Sequence, residues 1–182
     1  KQSTLSYDPT KAKQLLTQAG KSNLEIELMS TTGDIFSEQA AIVLQAQLAA
    51  IGVKTKIVKT DTGQWWDRLI SGDYQMSVTW WYNENTDPDL AVRWAFCGSC
   101  DTLSYFTRFN NDKVNQLIEE GVKELDPKKR KAIYYKIQKL TKDEVSQLPL
   151  FYTPYRNAYR GIEGLMMSPA IQFSLDEAKF KN

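Results

Sequence analysis

Apolar positions along the chain alternate between a helical period and a period of two, and the changes of period outline alternating helices and strands. In residues 8–19, Ala12, Leu15, Leu16 and Ala19 recur at i, i+3, i+4, i+7 and predict a short helix with one buried face. Asp8 suits its N-cap, Pro9 its first helical position and Gly20 its stop. Leu24, Ile26 and Leu28 then alternate with Glu25 and Glu27, a strand pattern. Residues 35–51 predict a longer helix, ended by Gly52, with Leu44, Leu48 and Ile51 in line. It is apolar almost all round, so it is expected between a sheet and a second covering element. Residues 53–59 predict another strand, with Val53, Thr55 and Ile57 on one face. Strand, helix, strand is a βαβ unit, with parallel strands and a right-handed crossover.

A helix over residues 62–71 stops at Gly72, and residues 75–82 predict a third strand with Met76, Val78 and Trp80 inward. Residues 83–105 read as loop, with Asp87-Pro88 starting a short helix through Trp94. Val114, Leu117, Ile118, Val122 and Leu125 mark a further helix. Asp126-Pro127 caps the next, which carries Ile133, Ile137 and Leu140 on its face and ends near residue 145. Residues 148–152 predict a last strand, and Pro149 places it at an edge. Beyond Gly161 the pattern weakens. The fold class is α/β, with a mostly parallel sheet of at least three strands. Such sheets bind ligands beyond the carboxyl ends of their strands, which singles out the loop after the third strand.

Composition narrows the chemistry. Among 182 residues there is no histidine, which excludes His-based nucleophilic triads and dyads and His-containing zinc sites in this chain. With 23 Lys and Arg against 22 Asp and Glu, the net charge of +1 argues against nucleic acid as a partner. Hydrophobic residues at 42% support a real core. No apolar run approaches the roughly 18 residues of a membrane span. The chain begins at Lys1 and ends at Asn182 in polar sequence and is expected to be a piece of something longer.

Three groups of residues merit weighing. Trp80, Trp81, Tyr82, Asn83, Glu84 and Asp87 join aromatic surface to carboxylates, a combination that recognises an ammonium group and flat or apolar ligand surface. Alternatively, Trp80 is core, Asp87 an N-cap, Pro88 the first helical residue and Glu84 a solvated charge. Cys97-Gly98-Ser99-Cys100 fits a local disulfide in an oxidising compartment, with two reduced thiols or a redox pair as alternatives. Two cysteines without histidine cannot complete a zinc site, so no metal is expected there. The run Lys128-Lys129-Arg130-Lys131 reads as the solvated face of a capped helix. Phosphate-binding glycine loops are absent, and no carboxylate pair has a spacing suited to acid–base catalysis.

The order of motifs resembles that of bacterial extracellular solute-binding proteins of the dipeptide/oligopeptide-binding family (family 5), the capture subunits of ABC importers. The series runs from Tyr7-Asp8-Pro9 with Leu15-Leu16 and Ala19-Gly20, through Gln45-Ala46-Gln47-Leu48 and Ile51-Gly52-Val53, to Gly72-Asp73-Tyr74. It continues with Asp87-Pro88-Asp89, residues 110–119, Leu125-Asp126-Pro127 with Arg130, and Leu148-Pro149-Leu150. The resemblance covers residues 7 to about 164 and only the C-terminal part of a full family member. It implies one lobe of a type II periplasmic-binding-protein fold over residues 1–160, with residues 161–182 a tail returning to an N-terminal lobe outside this chain. It implies no catalysis and no cofactor. It implies a short peptide or other small solute as ligand, a membrane permease as partner, and a periplasmic or extracellular location, with a lipid anchor conceivable in the full-length protein. The family's carboxylate for the ligand α-ammonium group falls at Glu84, where members usually carry Asp, and Trp81 and Tyr82 would line the cleft. A sugar or chelate binder on the same fold, and a thiol–disulfide oxidoreductase using the cysteine pair, are the alternative functions.

Overall fold

The structure, a computed structural model, describes residues 6–81, 85–153, 156–168 and 173–181. The chain divides into two compact units, Lys1–Trp80 and Trp81–Asn182.

The first unit is built on a three-stranded parallel sheet in the order β2-β1-β3. Helix α1 (Pro9–Gln18) starts as expected: the Asp8 carboxylate accepts from the Lys11 amide at 2.8 Å, and Pro9 stands in the first turn. Its predicted buried face is only partly covered, since no residue of α1 is buried and Leu15 is exposed. Strand β1 (Glu25–Thr31) pairs in parallel along its whole length with β2 (Lys54–Thr60), from Glu25 opposite Lys54 to Thr31 opposite Thr60. Helix α2 (Ile35–Ala50) connects them, with Asp34 capping the Phe36 and Ser37 amides. Leu28, Ala40, Ala41 and Val78, with Leu44 and Ile57, form the core between this helix and the sheet. The expectation that α2 is covered on both sides is not met: Ile35, Phe36, Ile42 and Val43 are exposed.

Helix α3 (Thr62–Ser71) packs on the other face and ends at Gly72, whose φ of +79° is the left-handed conformation that a glycine adopts most easily. Its buried Trp65 donates its indole N–H to Ser77 Oγ at 2.9 Å. Strand β3 (Met76–Ser77) is much shorter than the predicted residues 75–82. It pairs with β1 only at Leu28 and Met29, and the chain leaves the sheet after Val78. Of the three residues expected inward, Val78 is buried, but Met76 and Trp80 are exposed.

The second unit holds helices α4 (Pro88–Phe96), α5 (Asp112–Lys123) and α6 (Pro127–Glu144). Each starts on a side-chain cap: Asp87, Asn111 and Asp126. Cys97, Val114, Leu117, Ile118, Tyr134 and Ile137 form its core. Val122 and Leu125, expected on the buried face of α5, are exposed where that helix runs out. Residues 148–152 form no strand: Leu148, Leu150 and Phe151 are exposed, and Tyr152 fully so. The final segment makes two short antiparallel pairs, β4 (Ile162–Glu163) with β7 (Lys179–Phe180) and β5 (Met166–Met167) with β6 (Phe173–Ser174).

Candidate functional site

In the parallel sheet, β1 sits in the middle, with its βαβ partner β2 on one side and β3 on the other. The chain therefore reverses its direction of winding beside β1, and open α/β sheets bind ligands at the carboxyl edge of such a reversal. The polypeptide leaves β3 there toward Trp80, which is 59% exposed rather than core. A surface groove lined by Glu25, Glu27, Lys54, Lys56, Arg68 and Asp73 lies at the opposite, amino edge. Its charges are matched in pairs, Lys54 with Glu25 and Lys56 with Glu27, while Arg68 lies beside both Glu27 and Asp73. This groove is not the candidate site.

Trp81 begins the second unit. Its indole stacks on Trp94 of α4 with centroids 4.9 Å apart and planes 29° apart, and the ring of Tyr105 meets it edge-on at 5.3 Å. Trp81 remains 39% exposed while Tyr105 is buried. The arrangement is a fixed aromatic platform with one open side, suited to an apolar or planar group. Tyr82, Asn83 and Glu84, the centre of the sequence-predicted site, lie outside the described residues.

Downstream, Asp87 has two tasks. Its Oδ1 accepts from the Asp89 amide at 2.8 Å, capping α4, and Pro88 is the first helical residue. Both carboxylate oxygens also accept from Arg130 of α6 at 2.8 Å. Arg130 donates further to the Gly121 carbonyl at 2.9 Å and to the Tyr134 hydroxyl at 3.1 Å, and Tyr134 donates to Asp89 at 3.3 Å. The Arg130 hydrogen bonds, followed by the Asp89 amide, hold the Asp87 carboxyl below its usual range. Arg130 is correspondingly pushed up by Asp87. Burial, and then the neighbouring Asp89 charge, push the Tyr134 phenol up. With its carboxylate committed to Arg130 and the helix start, Asp87 acts as an anchor of the loop.

Cys97 and Cys100 form a disulfide. Arg93 Nη1 lies 3.6 Å from Cys100 Sγ, whereas Cys97 is 2% exposed within the apolar core. The half-buried Cys100 is the sulfur a thiolate can reach, and the Cys97 sulfur that would leave lies in the apolar core, where burial disfavours a thiolate. The disulfide is followed by a segment of unusual backbone. Leu103, Ser104, Tyr105 and Phe106 all have φ between +47° and +64°, a left-handed turn without glycine. Such residues cost roughly 1–2 kcal/mol each, and the surroundings hold them. The Ser104 amide donates to Cys97 O, the Leu103 amide to Cys100 O, and Ser104 Oγ to Phe109 O at 2.6 Å. The turn delivers Tyr105 to Trp81.

Trp94, Tyr105 and the Asp87–Arg130 pair are the parts that motif reading did not assemble. Arg130 and Asp87 stand 43 positions apart, and no glycine or asparagine marks 103–106 as left-handed.

A parallel α/β sheet with helices on both faces and a winding reversal at its central strand fits one lobe of a type II periplasmic-binding-protein fold, an architecture that solved structures of such proteins share with this chain. The sequence signature of bacterial extracellular solute-binding proteins, family 5 (middle region), matches residues 1–102, and the chain belongs to that family. It is 29% identical over 170 residues to di/tripeptide-binding protein 2 of Pseudomonas aeruginosa, an alignment covering 90% of this chain and 32% of that protein. The solved structure of the Helicobacter pylori periplasmic binding protein DppA in complex with the peptide STSA superposes with a TM-score of 0.71 at 27% identity, covering 78% of this chain and 28% of that one. A dipeptide-binding protein from Pseudoalteromonas in complex with Met-Leu superposes with a TM-score of 0.80 over 96% of this chain and 36% of its own, and at 21% identity it supports the fold alone. The chain thus spans about a third of the length of the curated relatives it matches.

Proposed function

We propose that this chain is the ligand-contacting lobe of a solute-binding protein that captures short peptides for an ABC importer. The observation that carries the reading is the fixing of residues on both sides of Glu84. Trp81 is held by Trp94 and Tyr105, and Asp87 by Arg130. A carboxylate at Glu84 suits a peptide's α-ammonium group, because a cleft that closes over an unpaired cation suffers a large desolvation penalty. Trp80, Trp81, Tyr82 and Asn83 are the further residues proposed to contact the peptide, on the aromatic and polar sequence pattern that singles them out. The similarity to a di/tripeptide-binding relative and to a peptide-bound structure supports peptide as the solute class.

Residues 1–160 act as the lobe. Residues 161–182 return to a further portion of the full-length polypeptide, consistent with the exposed Met166, Phe173, Leu175 and Phe180. The ligand is bound and delivered unchanged to a membrane permease, without catalysis. The protein works outside the cytoplasm, where the Cys97–Cys100 disulfide is stable. Among the described residues no helix is long and apolar enough to cross a membrane.

The test is calorimetric titration of the full-length protein with free and N-acetylated dipeptides. Free peptides should bind, acetylated ones should bind far more weakly, and Glu84→Ala should remove the difference. Equal binding of both forms to the unaltered protein would refute the ammonium clamp, and a thermal-shift response to sugars or metal chelates in place of peptides would reassign the solute.

A further inference from the structure

Helix α6 carries seven cationic side chains in 18 residues: Lys128, Lys129, Arg130, Lys131, Lys136, Lys139 and Lys142. Its only acids, Asp143 and Glu144, come at its end. Arg130 is taken inward by Asp87. Lys128, Lys129, Lys131, Lys136 and Lys139 are exposed on the arc opposite the buried Tyr134, Ile137 and Thr141. Among the described residues, none of these five lies within ion-pairing distance of a carboxylate. Lys54, Lys56 and Lys59 of the first unit are each paired to a glutamate. The acids near the start of α6 are engaged elsewhere. Asp126 accepts from the Lys128 and Lys129 amides, and Glu124 accepts from the Asp126 amide.

Two features set this face apart from an ordinary solvated one. First, three lysines and an arginine crowd the first turns of the helix, which contain no acid to balance them. Cations there oppose the helix dipole and repel one another at i, i+3 spacing, so the run works against helix stability. Second, every exposed cation of the face is lysine. Protein interfaces are depleted in lysine and enriched in arginine and large aromatics. Lysine is a hydrated point charge without the planar fork that selects a single carboxylate or phosphate. A helix of 18 residues, about 27 Å long, therefore offers diffuse positive charge along one side. We propose that the lysine face of α6 docks on an anionic membrane surface, held by headgroup charge without insertion.

The test is co-sedimentation of the full-length protein with phosphatidylcholine vesicles, with and without about 30% phosphatidylglycerol. Binding should require the anionic lipid and disappear at about 0.5 M salt, where screening shortens the range of the field to a few ångströms. Lys128→Gln/Lys131→Gln/Lys139→Gln should lower partitioning by about 100-fold, roughly fivefold per lysine. Lys11→Gln/Lys13→Gln/Lys21→Gln, which removes equal exposed charge from α1 and the residues just after it, should change it less than about twofold, since α6 carries the docking charge. Circular dichroism of both triple variants confirms that they fold. No binding at low salt, equal binding to neutral vesicles, or equal loss in the two variants overturns the proposal. So does α6-dependent binding to polyglutamate or DNA without binding to vesicles, which would make the partner a macromolecule.

Discussion

Arg130 and Asp87 meet in two parallel hydrogen bonds of 2.8 Å, and the same carboxylate caps the helix that Pro88 begins. One aspartate thereby fixes the start of α4 and ties it to α6. A proline at the first helical position leaves no amide to cap there, so the Asp89 amide takes the carboxylate instead.

Asp87→Asn keeps a competent cap but loses the ion pair, so it isolates the pair's contribution. The pair is partly exposed, and after allowance for solvent screening the loss should be about 1 kcal/mol. Asp87→Ala removes the cap as well and should cost about 1 kcal/mol more. The sign with pH follows from the lowered Asp87 carboxyl. Its contribution is fully present above the ordinary aspartate value of about 3.9 and is lost as pH falls through the lower folded value. Urea unfolding should therefore separate wild type from Asp87→Asn at neutral pH, and the gap should close in strong acid. A gap that stays constant with pH would show that the pair contributes nothing.

Gly98 is needed for close approach. A Cβ there would lie 2.6 Å from the Phe109 carbonyl oxygen and 2.7 Å from Asn110 Cα. These are backbone atoms, and Asn110 is tied to Asn115, whose Oδ1 also accepts from the Gly98 amide. Nothing there can move cheaply. Gly98→Ala should destabilise by roughly 2–3 kcal/mol, as overpacking does. Thermal unfolding measures it, and a loss below about 0.5 kcal/mol would mean that the loop reshapes freely.

The disulfide should contribute about 2 kcal/mol, the loop-closure value for so short a ring. Replacing both cysteines with serine should lower the urea midpoint accordingly while leaving the helices folded. In native buffer, reduction should be slow, because the reachable sulfur is Cys100 and the departing Cys97 sits in the apolar core. The chain should not accelerate insulin reduction by dithiothreitol. Acceleration abolished by the serine pair would restore the oxidoreductase reading.

Much of this architecture is legible from local chemistry. Asp8-Pro9, Asp87-Pro88 and Asp126-Pro127 mark three helix starts, because a cap and a fixed φ act within a few residues. The alternation of Leu24, Ile26 and Leu28 marks β1 for the same reason. What was not legible depends on distant partners. The β3 pattern of Met76, Val78 and Trp80 continues past the point where the chain leaves β1, so alternation overstates the strand. Leu148 and Leu150 alternate as a strand would, but no ladder partner meets them. Asp87 read correctly as a cap, but its second role needs Arg130. The left-handed turn at 103–106 bears no glycine, and the disulfide carbonyls and the Ser104 side chain that hold it become visible only when folded.

Val145 offers a test of the same principle at the end of α6. It adopts φ +50° and ψ +41°, the left-handed conformation that glycine or asparagine fills at a helix end and that a β-branched side chain strongly resists. The residue is half exposed, so its side chain contributes little packing to offset this. The reason for the turn lies two residues on. Gln147 Nε2 donates to the Ala95 carbonyl at 2.9 Å and to the Ser104 carbonyl at 3.3 Å, bracing both α4 and the left-handed turn that carries Tyr105. The chain must reverse sharply after Glu144 to bring that amide back, and Val145 absorbs the strain. Val145→Asn tolerates the conformation without glycine's extra freedom in the unfolded chain, so it should raise stability by about 1 kcal/mol. Gln147→Leu, which keeps the size and removes the donors, should instead destabilise by about 1–2 kcal/mol. It should also weaken the near-ultraviolet circular dichroism of the Trp81–Trp94–Tyr105 cluster, which depends on Tyr105 being held in place. Destabilisation by Val145→Asn in urea titrations would show that the valine side chain packs more than its exposure indicates.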